Sequence, residues 1–484
     1  MPSVPTAQLS SRRRMLVLAI CCMSLFIVGL DVTIVNVALP TISVDFHAQL
    51  ADLQWIMDAY TLVLASFLIL AGSTADRLGR RRIFRTGLLL FTLGSLMCSL
   101  APSLGWLIAA RVVQALGGSM LNPVALSIVT NTITDAKERA RAIGVWGAVF
   151  GLSMALGPVV GGALVSAVGW RAIFWVNVPV GIAALVLTTL FVPESKAPRA
   201  RRVDPVGQVL VIVALASATS AIIEGPRHGW GSDLIIGLFV VAVVSVLGLV
   251  AYENRREEPL IDPRFFRSMP FSGATIIAVS AFLCLSGFLF LNALYLQDVR
   301  GFSAVRTGLM TLPMAGANML LSPISGRIVG SRGPRLPLMG ASVFLGLAAL
   351  VMTTFTPTTS LLVVAGAYVL MGLGFGFVNA PITNTAVSGM PRSQAGVAAA
   401  VASTSRQAGS SLGVAVFGSI LASGGTFTHA SHVCWWVAVG CAVLIGVLGI
   451  ITTGRAAKES AARTAAIFAP SDGSARVTVG QAAT

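Results

Sequence analysis

The chain has 484 residues, 55% hydrophobic and only 11% charged, with a formal net charge of +15. Soluble domains usually carry about 25% charged residues, so the composition excludes an ordinary soluble domain and points to a chain solvated mostly by lipid. It argues equally against a nucleic-acid binder, because the basic residues fall in short clusters between long apolar runs, where a membrane protein uses them to fix its orientation.

A helical span needs about 20 apolar residues. Fourteen candidates follow in chain order: 15–39, 54–74, 84–101, 104–127, 142–164, 169–192, 205–224, 233–252, 271–294, 304–326, 336–355, 360–388, 394–422 and 432–453. All are expected to be helices, because lipid offers no partner to an open strand edge. Arg12-Arg13-Arg14 and the run after them resemble a signal peptide. The run is about twice as long as a signal core and lacks a small-residue cleavage site, so it reads as a retained first span after an N-terminal segment, 1–14. Residues 454–484, rich in Ala, Ser and Thr, read as a disordered tail. The six cysteines lie in apolar runs without a CxxC pair, which gives no disulfide framework and no metal site.

Of the 33 basic residues, 27 fall on the N-terminus, the even-numbered loops and the tail, 4 on the odd-numbered loops, and 2 inside spans. That asymmetry places both termini in the cytoplasm of a multi-pass cytoplasmic-membrane protein.

A charge at bilayer depth costs about 2.5–3.5 kcal/mol even on the lenient insertion scale. Four lie well inside spans: Asp31, Asp58, Arg111 and Arg406. At about 1.5 Å per residue, the first three fall in one layer, roughly 6–12 Å below the outer boundary. Asp31 and Arg111 read either as a structural ion pair or as a titratable site facing a cavity. Desolvation offsets much of a buried pair's attraction, and the pair leaves Asp58 as a second acid without an obvious cation, so the titratable reading is preferred. Arg406 can line the cavity or contact backbone carbonyls. Asn36 and Gln114, with Asp58 and Arg406, are candidates for the cavity wall.

The end of the second span reads Gly72-Ser-Thr-Ala-Asp76-Arg77-Leu-Gly79-Arg80-Arg81-Arg82. Its glycines allow close approach and a tight turn, and Asp76 can face the positive end of a neighbouring helix. Span four supplies Leu107-x3-Arg111-x2-Gln114-x2-Gly117-Gly118, and span five Gly157-Pro158-x2-Gly161-Gly162, small residues that let backbones touch in lipid. Pro158 removes a helical hydrogen bond and favours a kink. Trp170-Arg171 opens a further motif, WRAIFWVNVPVG, whose Arg and aromatics suit a membrane interface.

Together these motifs resemble the major facilitator superfamily, and more narrowly its fourteen-span drug:proton antiporters. LDVTIVNVALP (30–40) is similar to the first-span signature of that group, GSTADRLGRRR to the cytoplasmic gate motif, LIAARVVQALGG to the fourth-span motif, and GPVVGG to the fifth-span antiporter motif, with Ser153 where a glycine is usual. The C-terminal half has only a degenerate gate echo, Gly326-Arg327-x5-Gly333-Pro334-Arg335, without the acid. The resemblance implies an all-α fold of two six-helix bundles, 15–192 and 271–453. A linker, 193–270, would carry two inserted spans, 205–224 and 233–252. It implies Asp31 as the proton-responsive carboxylate, Arg111 as its tuning partner, and Asp58 as an acid that some fourteen-span exporters carry. Gly72, Asp76, Arg77, Gly79, Arg80 and Arg81 would form the gate, and Gly157, Pro158, Gly161 and Gly162 would let span five bend and seal against proton leak.

The expected function is proton-driven export of amphiphilic drugs, antibiotics or toxic compounds by a monomer, with protons as the coupling ion and no other cofactor. A narrow-specificity metabolite transporter of the same superfamily is the alternative, and a channel or a membrane-embedded enzyme is disfavoured. No GxxxxGK[ST] motif supports ATP-driven export, and His47, His228, His429 and His432 form no metal or triad pattern.

Overall fold

A computed structural model describes residues 10–196, 204–256, 259–388, 390 and 394–468. The segments 1–9, 197–203 and 469–484 of the expected termini and linker lie outside the described residues. Those described are almost entirely helical and contain no strand. The first half comprises α1 (Ser11–Phe46), α2 (Leu50–Leu78), α3 (Arg80–Ser99), α4 (Leu104–Thr132), α5 (Ala136–Ala167), α6 (Ala172–Trp175) and α7 (Asn177–Phe191). An inserted pair follows, α8 (Pro205–His228) and α9 (Asp233–Glu253). The second half comprises α10 (Met269–Leu294), α11 (Ala304–Met310), α12 (Leu312–Arg332), α13 (Arg335–Met352), α14 (Leu361–Ser388), α15 (Ala395–Ala422) and α16 (Phe427–Ile451). A short α17 (Arg455–Ile467) ends the described chain.

With α6 and α7 counted as one rod, and α11 and α12 as another, fourteen rods up to α16 occupy the places of the fourteen expected spans. Among the described residues, eleven helices are long and apolar enough to cross a membrane; α3, α12 and α15 are not among them. Fully apolar rods need no amphipathic stripe, so shape rather than polarity decides their packing. A Cβ on Gly117 of α4 would lie 2.2 Å from the Phe91 nitrogen of α3, and one on Gly409 of α15 would lie 2.5 Å from the Val279 carbonyl of α10. Glycine is what lets these backbones touch.

The halves meet along two seams, α2 with α15 and α5 with α11 and α12. The inserted helix α8 lies over the first seam. Its Gln208 donates to Ser66 O of α2, and its Thr219 hydroxyl lies 3.5 Å from that of Ser411 on α15. Its partner α9 turns Ile236, Val240, Val243 and Leu247 outward.

One expectation fails. The tail after 454 is not disordered throughout: α17 docks Ala457, Ser460 and Thr464 against the second half, Ser460 accepts a hydrogen bond from the Met269 nitrogen, and Phe468 packs edge-on against Phe265. The buried face is built from small residues, which a hydropathy reading passes over.

Candidate functional site

Asp31 of α1 is fully buried and meets three donors. Arg111 Nη1 of α4 donates to Oδ2 at 2.5 Å, while Gln114 Nε2 and Asn177 Nδ2 donate to Oδ1 at 2.8 and 3.2 Å. Arg111 is just as buried. Its Nε donates to Ile56 O of α2, and its guanidinium lies 4.1 Å over the Tyr60 ring. Gln114 accepts from Arg111 through Oε1 and donates also to Ser95 of α3. Every polar neighbour of the carboxylate donates, so the cluster fits the charged form of the acid. The site ties α1, α2, α3, α4 and α7 together. Gly94 makes this possible, because a Cβ there would lie 2.5 Å from the Gln114 backbone.

Two features differ from the sequence reading. Asp31 has no exposed surface, and its partner Arg111 is flanked by the rings of Tyr60 and Phe174, so the pair does not face a cavity in this state. Asp58 does not join the cluster. Two residues along α2 from both Ile56 and Tyr60, it points away from them, at about 100° per residue. It is buried beside Ser411 of α15, accepts from its own neighbour Thr61, and leaves Oδ2 unpartnered. The shared depth was legible in the sequence; the opposite face of the helix was not read.

The far end, away from the termini, is sealed. Gln54 of α2 donates to Val414 O and Ala415 O of α15, and Gln297 donates to Val37 O of α1. A Cβ on Gly162 would lie 2.3 Å from Ala304 O, and one on Gly308 would lie 2.1 Å from Pro158 O. On the other side of α5, Cβ atoms on Gly157 and Gly161 would overlap Thr33 and Ile34 of α1. The GPVVGG segment thus packs its helix against both halves at once. The helix runs unbroken from Ala136 to Ala167 through Pro158.

Below this seal a narrow cleft lies between the halves, walled by Thr33, Phe150, Met154, Phe282, Phe375 and Asn379 among others. Asn36, Gln114 and Asp58 are not in its wall: Asn36 is buried and donates to Val32 O of its own helix, and the other two are committed as described. Arg406 lies at its edge, on Phe282 and Thr383.

The gate motif is bound within the first half. Asp76 accepts two hydrogen bonds from Arg80, and Arg77 is exposed. Glu194, which the sequence reading missed, accepts from the Arg81 nitrogen and lies 3.8 Å from Arg82, while Arg81 also donates to Val192 O. Gly79 has φ 122°, and a Cβ there would lie 2.8 Å from the Glu194 carboxylate. Gly72 needs no such explanation, because its nearest neighbour would be 3.8 Å away. Asn177 was also missed as a site residue. It stands inside WRAIFWVNVPVG, but a neutral amide carries no burial penalty large enough to draw notice.

The family model for the Major Facilitator Superfamily matches residues 21–414. The chain belongs to that superfamily. It is 40% identical over 413 residues to the multidrug resistance protein Stp of Mycobacterium tuberculosis, covering 85% of this chain and 77% of that protein. It is 38% identical to the tetracenomycin C resistance and export protein of Streptomyces glaucescens, with coverages of 82% and 74%. The methylenomycin A resistance protein of Streptomyces coelicolor is 37% identical, with coverages of 87% and 88%. Among solved structures, the human organic anion transporter MFSD10 (TETRAN) superposes with a TM-score of 0.64 at 16% identity, covering 90% of this chain and 99% of that one, which shows a shared major facilitator fold. The protein is a multi-pass membrane protein of that superfamily.

Proposed function

We propose that the protein is a proton-driven exporter of amphiphilic small molecules in the cytoplasmic membrane, a carrier and not an enzyme, with its termini in the cytoplasm. The resistance and export proteins among its relatives support the direction of transport. The basic-residue asymmetry supports the orientation. In this reading the cleft is the substrate cavity, entered from the cytoplasm on the side away from the far-end seal.

The observation that carries the reading is the Asp31 cluster. A buried carboxylate that accepts from Arg111 and Gln114 of α4 and from Asn177 of α7 fits a deprotonated state. Adding a proton cancels the attraction to Arg111 and replaces an acceptor by a donor, which loosens α1 from α4. The same helix α1 carries Thr33, which lines the cleft and lies under Gly157, so a shift of α1 reaches both the cleft and the far-end seal. In the cycle, the deprotonated carrier takes substrate from the cytoplasm and turns outward. There Asp31 opens to water and gains a proton as substrate leaves; the protonated carrier returns and releases that proton to the cytoplasm as the Arg111 pair re-forms. With about 100 mV across the membrane, one entering proton supplies about 2.3 kcal/mol, and one pH unit adds about 1.4 kcal/mol. Together these hold a gradient of a few hundredfold for a neutral compound.

A structural lock is the second reading, favoured by the complete burial of Asp31. Purified protein in liposomes separates the two. The exporter accumulates an amphiphilic dye under an imposed pH gradient and stops when nigericin collapses it; a carrier indifferent to nigericin is not proton-driven.

A further inference from the structure

The membrane core is electrically lopsided. Of the buried acids, Asp31 and Asp58 stand in the interior of helices of the first half, whereas Asp204, Glu253 and Asp262 sit at helix ends in and after the inserted pair. From Met269 to Gly454 the sequence contains one acidic residue, Asp298, which is exposed beyond the far end of α10. The helices α10, α12, α13, α14, α15 and α16 contain no Asp or Glu. Among these helices stands Arg406, midway along α15 and only partly exposed. Its Nη2 donates to the Thr383 hydroxyl at 2.5 Å, its Nη1 lies 3.4 Å from the Ser403 hydroxyl, and its Nε is buried without a partner. Among the described residues it has no ion pair. A guanidinium carries five donors and always holds its charge, so neutral hydroxyls leave it uncompensated.

Its position relates it to the cleft. The guanidinium lies 6.0 Å from the ring of Phe282, which lines the cleft and packs edge-on against Phe375, another wall residue. Thr383 stands one helical turn beyond Asn379, also in the wall. The wall itself holds Thr33, Asn318 and Asn379 as its polar members and no acid.

We propose that Arg406 makes the cleft a receptor for anionic aromatic compounds, rings against Phe282 and Phe375 and an acidic oxygen on the free face of the guanidinium. This rests on the reading of the cleft as the transport cavity. An organic cation entering the same space meets an uncompensated positive charge and no counter-charge. The membrane potential that draws a proton inward also drives an anion outward, so this substrate class suits the coupling proposed above.

Two dyes with one ring skeleton and opposite charge test the idea. Fluorescence anisotropy of fluorescein and of rhodamine 123 with the purified full-length protein in detergent needs no gradient. The wild type should bind fluorescein at least about tenfold more tightly than rhodamine 123, the scale of one charge-assisted hydrogen bond. Arg406→Gln should erase that preference, and Arg406→Lys should keep part of it. Phe282→Leu should weaken both dyes alike. Because the two dyes are compared in the same sample, the ratio is insensitive to the folded fraction. Equal affinities in the wild type, no binding of fluorescein, or an unchanged ratio in Arg406→Gln would overturn the proposal. An intact anion preference in a carrier that ignores the pH gradient would strike the coupling scheme and leave this site standing.

Discussion

Ser153 of α5 rests on Gly29 of α1, so closely that a Cβ on Gly29 would lie 2.1 Å from the serine Oγ. The serine stands where the antiporter motif usually has glycine, and its hydroxyl turns back to donate to Phe150 O of its own helix. The room lost on one helix is thus returned on the other. Together with Thr33 under Gly157 and Ile34 under Gly161, this contact forms a continuous track along which α1 and α5 touch.

The track predicts a reciprocal pair. Gly29→Ala overpacks the contact and should destabilise the protein by about 1–3 kcal/mol, with loss of transport. Adding Ser153→Gly to Gly29→Ala should restore most of both. Apparent melting temperature in detergent and dye efflux from cells measure the two effects, and additive losses in the double variant would contradict the contact.

The far-end seal predicts a shift of state. Gly162→Ala and Gly308→Ala each press a methyl group into the backbone of the opposite half. Both variants should favour the conformation open at the far end. A single cysteine at Thr33, which lines the cleft, should then react with a membrane-impermeant thiol reagent from the outside of intact cells, and should not react when both glycines are present.

The ion pair predicts a thermodynamic asymmetry. Arg111→Ala leaves the Asp31 carboxylate buried without its cation and should cost about 3–5 kcal/mol, whereas Asp31→Asn with Arg111→Gln, which removes both charges, should cost much less. Asp58 already lacks a cation, so Asp58→Asn should cost little or raise the apparent melting temperature. A comparable loss on neutralising Asp58 would show that it has a partner in another state.

Glu194 predicts an effect at the gate. Glu194→Gln removes the charge facing Arg81 and Arg82 and weakens the anchor of the loop between α2 and α3. Transport should fall several-fold while dye affinity holds. Gly79→Ala should be worse, because it adds both a strained φ and an overlap with the Glu194 carboxylate.

How much of this was readable beforehand follows from what lipid penalises. The rods were legible because an apolar solvent demands long uninterrupted runs. Asp31 and Arg111 were legible because a charge in such a run is rare enough to need a reason. Asn177, Tyr60 and Ser95 were not, since neutral polar groups cross the same runs cheaply and acquire meaning only when the fold brings them to one carboxylate. The separation of Asp58 from Arg111 depended on which face of α2 turns to α4, a choice that depth alone does not make. The cleft wall was equally hidden: Asn36 and Gln114 differ from Asn318 and Asn379 in location, not in chemistry. For the docked helix after Gly454, only Ala457, Ser460 and Thr464 mark the buried face, at a spacing that small residues make faint.

In the proposed cycle the Asp31 carboxyl carries the coupling proton. The direct measurement is fluorescein uptake into liposomes holding either wild type or Asp31→Asn, at equal protein density, with the internal pH stepped against a fixed external pH and the membrane potential clamped by potassium and valinomycin. Wild-type uptake should rise steeply with the step, while Asp31→Asn should bind the dye as before and show uptake that does not change with the step. Uptake by Asp31→Asn that follows the pH step as the wild type does would contradict the account.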